Sequence, residues 1–94
     1  MKTATFVKQM EGFIGDARLY KLSEAVDADG WANSVVTTDY VVVSAVVVPF
    51  SGPETYIFPA DGEGRITSWS EMKGSFRGGL DHARALAGLG FVVE

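Results

Sequence analysis

The chain has 94 residues, no cysteine, and 12 acidic against 8 basic side chains, for a formal net charge of -4. That length suits one domain, residues 1–94, able to build a single core without staples. The missing cysteine excludes disulfides, thiolate metal sites and a cysteine nucleophile, and it fits a reducing, cytoplasmic setting. The acidic balance disfavours general nucleic-acid binding through counterion release, but the excess is too small to read as nucleic-acid mimicry.

The opening MKTATFVKQMEG lacks the apolar run of a secretory signal, so no leader is expected. Thr3 to Gln9 alternates loosely around Phe6 and reads as an edge strand or an ordered lead-in. Glu11 to Asp16 reads as a connection, because two glycines and an aspartate break any period. From Ala17 to Glu24 the alternation resumes with both faces mixed, as on a strand near a sheet edge where Arg18 and Lys21 lay their stems over apolar neighbours.

Ala25 to Ser34 is rich in turn formers and is expected to be a surface loop carrying Trp31. Its acids invite a calcium test. With Gly30 at loop position 6, Asp27 and Asp29 stand at positions 3 and 5, but Ala25 and Val36 occupy positions 1 and 12, where oxygen ligands are required. No metal is therefore expected there.

Thr38 to Ala60 organises the rest. Six valines and an alanine between Val41 and Val48, broken only by Ser44, are mostly β-branched and suit a pleated surface. Pro49-Phe50-Ser51-Gly52-Pro53 fixes two φ angles and offers Gly52 for φ > 0, so the chain is expected to reverse and run back through Phe58. Both faces of the first strand are apolar, and each needs a cover. On the return strand Glu54, Tyr56 and Phe58 share a side, and Pro59 is expected to end it. A turn at Asp61 to Gly64 and a brief strand at Arg65 to Trp69 follow, with Ile66 turned inward and Trp69 at the core or its rim. No stretch reaches the roughly 20 apolar residues of a membrane helix, so no span is expected.

Glu71 to Gly79 carries three glycines and reads as an irregular loop pinned by Phe76. A short helix follows. Asp81 is the expected N-cap and Gly88 or Gly90 the left-handed C-terminal residue, with Ala83, Leu86, Ala87 and Leu89 facing the valine strand. Phe91 to Val93 reads as a last strand. The sum is an α+β fold, a mainly antiparallel sheet of four to five strands around the 38–60 hairpin with one short C-terminal helix on one face.

Chemistry is sparse. Lys73, Ser75, Arg77, Gly78 and Gly79, ahead of the helix N-terminus at Asp81, are the best candidates for holding an anion or small ligand, although the phosphate-loop spacing is absent. His82 reads as a surface histidine, and Ser68, Ser70 and Ser75 lack any nucleophile frame around it. The acids fall in turns and strand ends, so no carboxylate pair is framed in a cleft. No enzyme activity and no cofactor are expected. Trp31, Tyr20, Tyr40, Tyr56 and Trp69, beside the doubly apolar valine strand, point instead to a protein interface, self-association as a homodimer included.

Three segments, GDARLYKL, VVVSAVVVPFSGPETYIFPADGEG and MKGSFRGGLDHARALAGLGF, resemble a set of small accessory proteins encoded by tailed bacteriophages of actinobacterial hosts, to which no activity attaches. The resemblance covers most of Gly15 to Phe91. It implies a phage accessory protein in the host cytoplasm that contacts, and by contact inhibits, a host protein; a minor virion component is the remaining alternative.

Overall fold

The computed structural model describes residues 2–13, 15–29 and 34–94, so the expectation placed on Trp31 lies outside the described residues. The elements are β1 (Thr3–Gln9), β2 (Asp16–Asp29), β3 (Val35–Val48), β4 (Gly52–Ala60), β5 (Phe76–Arg77), α1 (His82–Leu89) and β6 (Val92–Val93). They form one six-stranded sheet in the order β5-β4-β3-β2-β1-β6. Neighbours pair antiparallel except β1 and β6, which are parallel.

The expected antiparallel sheet of four to five strands is thus corrected to a mixed sheet of six. Two of the strands have two residues each: β6 falls within the last strand expected at Phe91 to Val93, whereas β5 lies in the segment expected to be an irregular loop and leaves no periodic trace in the sequence. Between them α1 carries the chain over one face, touching β3, β4 and β6 on the way. It delivers β6 to the opposite edge, where it runs in the direction of β1.

The 38–60 hairpin forms in strict register, from Val48↔Gly52 to Tyr40↔Ala60. Pro59 does not end it. Pro59 and Pro53 both lie inside β4, and their carbonyls accept from Thr67 and Gly78, outside the β3 ladder. In an antiparallel strand the N–H and C=O of one residue point the same way, so the missing proline donors face outward and the ladder to β3 loses nothing.

The expected loop at Ala25 to Ser34 is corrected over Ala25 to Asp29, while residues 30–33 lie outside the described residues. Strand β2 continues to Asp29 and pairs with Val35 to Thr38, after a slip in register between Lys21 and Val26. The expected strand at Arg65 to Trp69 is reduced to a single bridge between Ala60 and Ile66.

Each face has its own cluster. On the first, Ala4, Tyr20, Leu22, Val41, Val43 and Ile57 pack with Ala85, Leu86 and Phe91 from the C-terminal segment. On the second, Ala17, Leu19, Val42 and Ala60 lie under Met10, Phe13 and Ile66. The valine strand therefore meets the chain's own material on both sides.

Helix α1 has the expected caps. Oδ1 of Asp81 accepts from the Arg84 N–H at 3.0 Å, and Gly90 takes φ +104 while its N–H bonds the helix end. Its buried face differs from the expected one: His82, Ala85 and Leu86 are buried, Leu89 is half-buried, and Ala83 and Ala87 face solvent. Positions 82, 85, 86 and 89 follow the i, i+3, i+4, i+7 stripe of an amphipathic helix once histidine is admitted to it.

Candidate interaction surface

On the second face a row of rings runs across the outer part of the sheet. Tyr56 and Phe58, two residues apart on β4, stack with centroids 6.1 Å apart. Trp69 meets Phe58 edge-on at 5.3 Å, and Phe13 lies 6.4 Å from Trp69. Aromatic pairs prefer such offset and edge-to-face arrangements, each worth roughly 0.5–1.5 kcal/mol beyond burial. The outermost ring, Trp69, is 69% exposed. The other three are half-buried.

The chain holds this row by local hydrogen bonding. Asp61 accepts at Oδ1 from the N–H groups of Glu63 and Arg65, at 2.9 and 3.0 Å. Those donors, led by that of Arg65, hold the Asp61 carboxyl below its ordinary pKa. The turn is closed further by Asp61 N–H to the Arg65 carbonyl, and the Thr67 N–H then bonds the Pro59 carbonyl, which leads Trp69 back over Phe58. On the other side the Met10 N–H bonds the Ala17 carbonyl, closing the connection that carries Phe13.

The residues singled out from sequence do not all gather here. Tyr56 and Trp69 share the row. Tyr40 lies on the same face but beside Gly62, with Lys21 Nζ 5.3 Å from its ring, along an open recess of about 310 Å³. Tyr20 is 2% exposed and belongs to the first core, edge-on to Phe6 at 6.0 Å. Phe13 and Phe58 were not singled out. Phe58 carried a signal, its i, i+2 spacing from Tyr56 on a strand; Phe13 sat in a glycine-broken connection with none.

The residues named for an anion are directed elsewhere. Ser75 Oγ accepts from the Ile57 N–H at 2.9 Å, and the Gly78 N–H bonds the Pro53 carbonyl. The Gly79 carbonyl accepts from Thr55 Oγ1 at 2.9 Å. Arg77 Nε lies 3.3 Å from a carboxylate oxygen of Glu54, which is 3% exposed. Lys73 is apart from these, on the rim of a second recess with Glu71 and Leu89. The glycine-rich loop is closed against the fold, and Asp81 already occupies the helix N-terminus.

His82 is corrected from a surface to a buried position, at 8% exposure. Its Nε2 lies 2.8 Å from the Asp16 carbonyl oxygen. A carbonyl only accepts, so Nε2 carries the proton in this bond. The serines named with it bond elsewhere: Ser68 Oγ accepts from the Ser70 N–H, and Ser75 serves Ile57. Among the described residues no three His, Asp or Glu side chains gather as a metal set, and no helix is long and apolar enough to cross a membrane.

Comparison of the chain with protein-family models, with curated proteins and with solved structures gives no match.

Proposed function

We propose that this protein is a non-catalytic binding protein that works by contact with another protein through the row Phe13, Trp69, Phe58 and Tyr56. The exposure of Trp69, 69% while packed edge-on against Phe58, carries the reading: a large ring fixed by its neighbours yet open to solvent is the make-up of an interface anchor. Tryptophan and tyrosine dominate such anchors because they bring large apolar area with few rotatable bonds. The resemblance to phage accessory proteins supports a host protein as the partner and inhibition of that protein as the outcome.

Affinity capture from lysate of an actinobacterial host tests this, with the parent chain and Trp69→Ala run side by side. The substitution gives up the ring contacts to Phe58 and Phe13, a loss of roughly 1–3 kcal/mol that a folded domain of this size tolerates, while a partner held by the parent is lost or weakened by roughly tenfold to a hundredfold. A partner retained in full by Trp69→Ala, or none captured by either chain, overturns the reading.

A further inference from the structure

The aromatic row draws its rings from three places: Phe13 from the β1–β2 connection, Trp69 from the stretch after the Asp61 to Arg65 turn, and Phe58 and Tyr56 from β4. Two apolar contacts join the first place to the second. Phe13 lies 6.4 Å from Trp69, and Met10, three residues before Phe13, packs on Gly64 within the turn. A Cβ on Gly64 would stand 2.6 Å from Met10 Cε and 2.9 Å from Sδ, so the thioether takes the space that a side chain there would need. Gly64 is buried at φ +91, and Leu19 Cδ2 closes the same spot at 3.6 Å.

This slot suits a thioether and not its oxide. A thioether is apolar and at most a weak acceptor, whereas a sulfoxide is polar, and its oxygen needs a donor when it is buried. The backbone around the slot has none to spare. The Glu63 and Arg65 N–H groups are given to Asp61 Oδ1 at 2.9 and 3.0 Å, and the Gly64 N–H to the Asp61 carbonyl at 3.0 Å. Met10's own N–H is given to the Ala17 carbonyl at 2.8 Å. The side chains of the cluster on which Met10 packs, Ala17, Leu19, Val42 and Ala60, offer only carbon.

The sulfur is also the more open of two. Met10 is half-buried, whereas Met72, in the first core, is 7% exposed. An oxidant in solution therefore meets Met10 first.

We propose that Met10 is a site of oxidation by hydrogen peroxide, and that its sulfoxide takes the aromatic row apart. The sulfur receives one oxygen as the O–O bond breaks; it is oxidised by two electrons, and the other peroxide oxygen leaves as water. The new oxygen turns out of the slot toward solvent, the segment from Met10 to Phe13 moves with it, and Phe13 is drawn off Trp69. Trp69 then keeps Phe58 as its one ring support. The consequence, that oxidation weakens partner binding, rests on the reading of the row as the contact surface; the oxidation and the ring movement do not.

Peroxide treatment of the purified full chain, followed by tryptic peptide mapping and NMR, tests this. Cleavage after Lys8 and Arg18 isolates Met10, and cleavage after Arg65 and Lys73 isolates Met72. One added oxygen is expected on Met10 before Met72 gains any. The ring-to-ring NOEs between Phe13 and Trp69 are expected to be lost in the oxidised parent and to survive in Met10→Leu given the same treatment, a swap close in volume that removes the sulfur. They are expected to return in the parent when methionine sulfoxide reductases of both stereospecificities restore the thioether. None of these readouts uses a partner, so a row that proves not to be the contact surface leaves them standing. Met72 oxidised ahead of Met10, NOEs that persist with Met10 fully oxidised, or NOEs lost equally in treated Met10→Leu overturns the proposal.

Discussion

The Asp16 carbonyl, bonded to His82 at 2.8 Å, ties the start of β2 to the first turn of α1, while its carboxylate is held by Gln9 Nε2 at 2.7 Å and by Arg18 at 2.8 Å. The Gln9 hydrogen bond, then Arg18, lowers the Asp16 pKa from its ordinary 3.8. A carboxyl whose folded pKa is depressed stabilises the fold fully above its unfolded value and loses that contribution as pH falls through the folded one. Asp16 is partly exposed, so the effect is under about 1 kcal/mol. Thermal melting of the parent and Asp16→Asn is therefore expected to differ most above pH 5 and to converge as pH drops below 3.8. A constant difference across that range would mean the charge plays no part. At this scale the sequence was informative where a residue acts through its own backbone, as at Asp81, Gly52 and Gly90. It misled where a partner came from far along the chain: His82 looked like a surface residue because nothing within the helix reveals the carbonyl, 66 residues away, that satisfies it.

Among the elements, α1 is short, and its eight residues depend on the loop packed against its outer end. Gly74 takes φ +105, and a Cβ there would collide with the Ala85 carbonyl and with Ile57 Cδ1 at 2.9 Å; a Cβ added to Gly88 would come equally close to the Gly74 Cα. Gly74 thus lets the segment from Glu71 to Gly79 bring backbone against backbone of α1, a role that composition alone presented as irregularity or as a ligand cradle. Gly74→Ala is expected to cost more than about 1 kcal/mol, from left-handed strain and the collision together, seen as a lower urea midpoint with unchanged slope. Gly78→Ala, with no atom within 4 Å of its Cβ at φ +99, carries only the backbone part and is expected to cost less. The hairpin was legible almost in full because its signals are local: β-branched runs, two prolines and one glycine. Its end was not, since whether a proline stops a strand depends on which edge its nitrogen faces, and that is decided by the neighbouring strand.

At the scale of the molecule, the sheet is closed on its first face only when the chain's last residues arrive. Phe91, 1% exposed, sits in the first core with Leu22, Ile57 and Leu86, and its N–H bonds the Leu86 carbonyl. The next residues add β6 to the open side of β1, through Val92 N–H to the Lys2 carbonyl and Glu94 N–H to the Ala4 carbonyl. Lys2 Nζ lies 5.5 Å from the Phe91 ring, so both termini meet at this edge. The last strand expected at Phe91 to Val93 forms as β6, but its parallel direction was beyond reading there, because direction is fixed by the crossover before it. The consequence is that folding cannot be completed strand by strand from the N-terminus; β1 and the helix face stay open until Phe91 docks. Phe91→Ala is expected to cost about 3–5 kcal/mol, the range for emptying a buried aromatic position. Within a total of roughly 5–15 kcal/mol for a domain, that leaves a chain near its unfolding threshold. Val92→Ala, at a residue 56% exposed on the same edge, is expected to cost well under half as much, because it removes little buried area and keeps the backbone bond. Equal losses from the two substitutions, measured by chemical denaturation, would place the contribution of this segment in its strand pairing and not in the core.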